Sequence, residues 1–111
     1  MATARVRRGR QTEQQVADYL RSYGWNNAER RPAALPGCDV TGVAGVAIEV
    51  KARRGFNPGE WAKQAAKNCD GGLPVVVMRP DGSGPAQIPT WPVFLTLHDF
   101  VHLLIDAGYQ K

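Results

Sequence analysis

The run LPVVVM, Leu73 to Met78, constrains this chain more than any other stretch. Six consecutive non-polar residues, three of them valines, leave no polar side, so as a strand the run needs cover on both faces. A second strand signal has the opposite difficulty. In VAIEVKA, Val46 to Ala52, successive side chains alternate faces, which puts Val46, Ile48 and Val50 on one side and Ala47, Glu49 and Lys51 on the other. Two charges stand where a core is expected.

The remaining elements fall around these strands. Thr12 and Gln15 have the spacing of a capping box, and Val16, Tyr19, Leu20 and Tyr23 follow at i, i+3, i+4, i+7, predicting a helix from Glu13 to Tyr23 that Gly24 stops. Trp25 to Arg31 is a strand candidate, broken by RPAALPG. Asp39 to Thr41 forms a near-hairpin with Val46 to Ala52 across GVAG. NPGEW opens a second helix, with Asn57 as N-cap, Pro58 at the first position and Glu60 at the third, reaching Cys69 before DGG. After Leu73 to Met78 a surface loop, RPDGSGPAQIP, leads to a weak edge strand, Trp91 to Leu97. A last helix, Asp99 to Ala107, places Phe100, Leu103, Leu104 and Ala107 on one face and leaves Val101 and Ile105 off it. Such a helix is apolar on more than one side and needs burial inside the chain or against a partner subunit. The order α-β-β-β-α-β-β-α implies an α/β fold with a mixed central β-sheet flanked by helices. Residues 11–111 read as one domain, preceded by a basic N-terminal arm, residues 1–10.

Charge narrows the partners. Among 111 residues, 14 Lys and Arg stand against 10 Asp and Glu, a formal net charge of +4, and Arg5, Arg7, Arg8 and Arg10 crowd the arm. A polyanion is the partner such a surplus suits. Cys38 and Cys69 are too few for a zinc cluster or a disulfide framework, and reduced thiols fit a cytoplasmic protein. No apolar run approaches the ~20 residues of a membrane span, and no apolar segment follows the first arginines as in a signal peptide. His98 and His102 share a helix face, but without the glutamate of H-E-x-x-H they make a poor zinc site.

The charged face of Val46 to Ala52 has a chemical reading. Glu49 and Lys51 are neighbours about 7 Å apart along the strand, and Asp39 approaches from the paired strand. Two carboxylates this close repel unless a cation lies between them. A hard divalent ion with oxygen ligands, Mg²⁺ above all, takes one or two protein carboxylates and keeps its remaining waters. The Lys51 ammonium can then orient a nucleophilic water or offset charge on a phosphate. An ordinary ion pair on a wet sheet face is the competing explanation.

GCD, nine further residues and then EVK, followed at once by a well-capped helix, resembles the PD-(D/E)XK nuclease superfamily, with Pro36 separated from Asp39 by Gly37 and Cys38. The resemblance covers Arg8 to Met78 and is nearest to Holliday junction resolvases of the archaeal and phage type. It implies a restriction-endonuclease-like core in which Asp39 and Glu49 bind metal, Lys51 assists catalysis and the Val50 carbonyl completes the ligand set. Glu13 matches a glutamate that resolvases carry early in the first helix, although an acid there also suits the helix dipole. Gln64 matches a glutamine on the helix after E-x-K, or is a polar residue at the margin of a core face. Arg7, Arg8, Arg10, Arg53, Arg54, Lys63 and Lys67 are candidates for phosphate contact, with a solvated helix face the alternative for the two lysines. Trp61 reads as core rather than as a stacking platform. The implied activity is a Mg²⁺-dependent endodeoxyribonuclease, with Mn²⁺ as substitute and no small-molecule cofactor, acting on branched DNA as a homodimer. Flaps, forks or duplex sites are alternative substrates, and a non-catalytic DNA-binding module is the alternative class.

Overall fold

The computed structural model describes residues 3–32, 37–52 and 55–111. Helix α1 (Ala4–Ser22) is followed by strands β1 (Glu29–Arg30), β2 (Val40–Thr41) and β3 (Val46–Lys51), and then by helix α2 (Pro58–Lys67). Strand β4 (Leu73–Met78), a 3₁₀ helix (Pro85–Thr90), strand β5 (Val93–Phe94) and helix α3 (Leu97–Asp106) complete the chain. The five strands lie in the order β1-β2-β3-β4-β5, antiparallel throughout except for the parallel pair β3 and β4. This is an α/β fold with a mixed sheet flanked by helices. Among the described residues no helix is long and apolar enough to cross a membrane, and both cysteines are free thiols.

Alternation along β3 divides the molecule. Val46, Ile48 and Val50 face α1, where Ile48 and Val50 pack with Val16, Ala17, Val40 and Trp91. Glu49 and Lys51 face α2, beside the second cluster of Trp61, Ala65 and Val76. Trp61 is core, edge-on to Phe56 and Phe94. Asn57 accepts from the Glu60 amide and caps α2 as its sequence foretells.

Strand β4 contains a proline yet runs beside β3 for its whole length. Its odd residues bond toward β3, as when the Leu73 amide donates to Gly45, and its even residues bond toward β5, as when the Met78 amide donates to Pro92. Pro74 therefore turns its missing N–H to the β5 side, where pairing reaches only Val76 and Val77. The expected cover on both faces is only half met. Val76 is buried under α2, whereas Val75 and Val77 are half-buried and line an open apolar groove.

Two expectations need correction. Helix α1 begins at Ala4, capped by Thr3, whose hydroxyl accepts from the Val6 amide, so residues 4–10 are its first two turns rather than a separate arm. Thr12 is no cap. It is fully buried inside the helix, donates to the Arg8 carbonyl at 2.7 Å and accepts from Arg79 at 3.2 Å, so the capping-box signal came from a side chain bonding back along its own helix. The last helix, in turn, is not buried in the chain. It starts at Leu97 with Thr96 as cap and has no buried residue.

Gly42, just past β2, has φ +93°, and a Cβ built there would lie 1.9 Å from the Asn27 carbonyl oxygen. Gly45 has a similar φ of +79° with open space around it. Gly42→Ala is expected to cost about 3 kcal/mol and Gly45→Ala about 1–2 kcal/mol, measured by urea denaturation; equal costs would contradict the steric account.

Candidate functional site

The site grows from the end of the β2–β3 hairpin. Val40 pairs with Ile48, and the Asp39 amide donates to the Ile48 carbonyl at 2.9 Å. The next rung is made by a side chain: Asp39 Oδ2 accepts the Val50 amide at 2.8 Å. Gly37, at φ +116°, turns the chain into this position, where a Cβ would press on the Arg31 side chain. Arg31 holds the same turn by donating from Nε to the Cys38 carbonyl at 2.9 Å. Because a strand residue's N–H and C=O share an edge, the Val50 carbonyl also lies on the Asp39 side of β3.

On the α2 face Glu49 and Lys51 are each 5% exposed. Burial of two charges requires partners, and α2 supplies them one turn apart. Asn68 donates from Nδ2 to Glu49 Oε1 at 3.0 Å, and Lys51 Nζ donates to Gln64 Oε1 at 2.8 Å. The wet-face ion pair is thereby excluded. One stripe of α2, Trp61 and Ala65, lies over apolar β4, and the neighbouring stripe, Gln64 and Asn68, lies over the charged residues of β3.

Helix α1 closes the third side. Arg5, Gly9 and Glu13 recur every four residues and share one face, and all three line a cavity of about 440 Å³ with Gly37, Asp39, Glu49, Val50, Lys51, Ala52, Gln64 and Asn68. Asp39, Glu49, Lys51, Val50, Glu13 and Gln64, the six residues singled out from sequence for metal binding and catalysis, thus meet in one cavity. A neighbouring cavity of about 310 Å³ shares Gly9, Glu13, Gly37 and Asp39 and adds Arg10 and Arg31.

The phosphate candidates divide. Arg10 lines the second cavity, while Arg8 is half-buried and donates from Nε to the Ala52 carbonyl at 2.9 Å, tying α1 to the end of β3. Arg7 is exposed on α1 outside both cavities; Lys63 is paired with Glu60 at 3.7 Å on the outer face of α2, and Lys67 is exposed in its last turn. Arg53 and Arg54 lie outside the described residues. Sequence reasoning missed Arg5 and Asn68 as members of the site. Arg5 was legible only once the helix is started at Ala4, when it falls eight residues before Glu13; Asn68 stands four after Gln64 on α2.

Burial, and then repulsion from Asp39, raise Glu49 from 4.5 to about 7, against the opposing bond from Asn68 and the charge of Lys51. Burial and Asp39 likewise raise Glu13 from 4.5 to about 7, although Arg30, 4.0 Å away, and Arg10 pull the other way. Three hard oxygen donors line one space and two resist ionisation, which is the electrostatic condition that a divalent cation relieves. Among the described residues no group of three or more His, Cys, Asp or Glu is so placed that it could hold a metal ion. An open, water-completed site of the Mg²⁺ kind fits this donor set; a thiolate or imidazole site does not.

Compared with protein-family models, curated proteins and solved structures, the chain matches none of them.

Between pH 4.5 and 7 the folded chain holds protons on Glu13 and Glu49 that the unfolded chain has released, so folding stability falls as pH rises through that window. In EDTA the melting temperature is expected to drop from pH 5 to pH 7.5 and to recover on adding Mg²⁺ at the higher pH, with Asp39→Asn weakening the recovery. A melting temperature that rises across the window in wild-type protein would contradict the site's electrostatics.

Proposed function

We propose that the chain is a Mg²⁺-dependent endodeoxyribonuclease with a restriction-endonuclease-like core, cleaving branched DNA such as Holliday junctions. The observation that carries this reading is the meeting of Asp39, Glu49 and Lys51 in one cavity, with Glu13 brought in from α1. Two carboxylates and an amine at the end of a sheet match what the GCD and EVK motifs imply.

In this reading Asp39, Glu49, Glu13 and the Val50 carbonyl hold Mg²⁺, for which Mn²⁺ substitutes. The ion, when bound, supplies a Lewis acid that polarises the phosphoryl group and offsets charge on the departing oxygen. Lys51 is kept in register by Gln64 and presents its ammonium to the cavity, where it orients the attacking water and balances negative charge developing on the phosphate. Water adds to phosphorus and the bond from phosphorus to the 3′ oxygen breaks, leaving a phosphate and a hydroxyl. Asn68 fixes the Glu49 carboxylate by donating to Oε1.

DNA as the substrate is supported by α1. Its first two turns carry Arg5, Arg7, Arg8 and Arg10, and no acid lies in the first turn. Cations at the positive end of a helix dipole destabilise it, and a phosphate backbone compensates them. Among the described residues nothing has the form of a helix or finger that reads base edges, so recognition by backbone shape, as at a junction, fits better than recognition by sequence.

The test is cleavage of a labelled four-way junction, a flap, a fork and a duplex of equal length, with Mg²⁺, Mn²⁺ or EDTA. The junction is expected to be nicked symmetrically only with metal. Lys51→Met should lower the rate by about 10²–10⁴-fold, and Glu49→Gln should abolish cleavage while binding persists or tightens. Equal cutting of every DNA would remove the junction specificity. Binding without cleavage in either metal would replace the nuclease with a DNA-binding module.

A further inference from the structure

We propose that α3 of one chain docks into the apolar groove of a second copy, and the second copy's α3 into the first, forming a reciprocal two-fold dimer. Two unmatched surfaces carry the proposal, and it stands without the nuclease reading. The first is α3 itself. Leu97, Phe100, Val101, Leu103 and Ile105 are all exposed, between 40% and 74%, and no helix or strand of the chain packs substantially on them. The second is the groove of about 350 Å³ on the α1 side of the sheet, floored by Val75 and Val77 and walled by Leu20, Trp25, Ile88 and Val93. Among the described residues none that lines it is charged. The chain thus holds one apolar helix without a groove and one apolar groove without a helix. The LPVVVM pattern demands the same thing independently, because β4 has cover on its α2 face and lacks it on this one.

Charge selects a second copy over other occupants. The charged residues of α3 are Asp99 and Asp106, so the rest of the chain keeps all 14 basic residues against eight acids. An acidic helix approaching a basic body is favoured by the long-range field, whereas the same helix would be repelled by DNA. Size is adequate as well. A ten-residue helix is about 15 Å long and, with its side chains, about 12 Å across, so half its surface and an equal groove area bury about 570 Å² per protomer, close to the ~1,200 Å² lower bound of a stable interface. The contact is isologous, each chain giving one helix and one groove. Leu95 and Thr96 are the two residues between β5 and α3.

Sedimentation of the intact chain over a range of concentrations tests this. Wild type is expected at the dimer mass. A helix variant, Phe100→Asp with Ile105→Asp, and a groove variant, Trp25→Asp with Val93→Asp, should each sediment as a monomer, because every contact in either homodimer is broken. Mixing the two should bring back association, weaker than that of wild type because half of the buried area remains, through the one intact contact, the helix of the groove variant in the groove of the helix variant. All altered positions are exposed in the monomer, and a cooperative urea transition checks that each variant folds. Hydrogen exchange on wild type gives a readout free of mutation: amides of α3 should slow in step with the rise in mass. The proposal is overturned by a monomer at every concentration, by a helix or groove variant that stays dimeric, or by α3 amides that remain unprotected in the dimer.

Discussion

The seam between α2 and β3 is the constraint on which the rest of the architecture depends. Glu49 and Lys51 are buried on a sheet face, and an unanswered buried charge costs far more than a buried hydrogen bond returns. Gln64 and Asn68 answer them from one side of α2, while Trp61 and Ala65 on the same helix bury Val76. The helix must therefore sit over both strands in one register: a shift by one residue would lay Trp61 and Ala65 away from Val76 and leave both charges unmatched. Parallel pairing of β3 with β4 brings the polar and apolar halves side by side, with Glu49 beside Val76 and Lys51 beside Met78.

Asp39 connects this seam to the opposite layer. Its carboxylate takes the Val50 amide and so replaces a backbone rung at the point where β2 gives way to the preceding loop. That same carboxylate raises both Glu49 and Glu13, one on the sheet and one on α1. Thr12 adjoins Glu13 and is held by Arg79, which also lies over the Trp91 ring, so the helix turn that carries the third acid is anchored in the core. These bonds hold like charges together rather than apart. A fold optimised for stability alone would separate them, and acids kept together in this way mark a functional site more often than a structural one.

Much of this was legible in the sequence because it rested on local rules. Alternation along VAIEVK fixed which side chains share a face, Asn57 and Pro58 fixed the start of α2, and the spacing from Asp39 to Glu49 fixed their approach across the hairpin. What was not legible rested on contacts distant in the chain. Thr12 looks like a cap until Arg79, 67 residues away, is seen to bond it. The run of arginines looks like a loose arm until Arg8 is seen to reach Ala52. LPVVVM announces two covered faces, but no local pattern says that the chain covers only one of them. Asn68 sits at the end of a helix, where its ordinary use as a terminator hides its bond to Glu49.

Glu49 is kept as a buried carboxylate against the interest of the fold. Glu49→Gln tests it most directly, because the amide keeps an oxygen for Asn68 and removes the desolvated charge. Thermal unfolding of the metal-free proteins above pH 7 should give the variant a higher melting temperature than wild type. A variant that melts lower would contradict the account, since the ionised carboxylate would then be part of what holds the structure together.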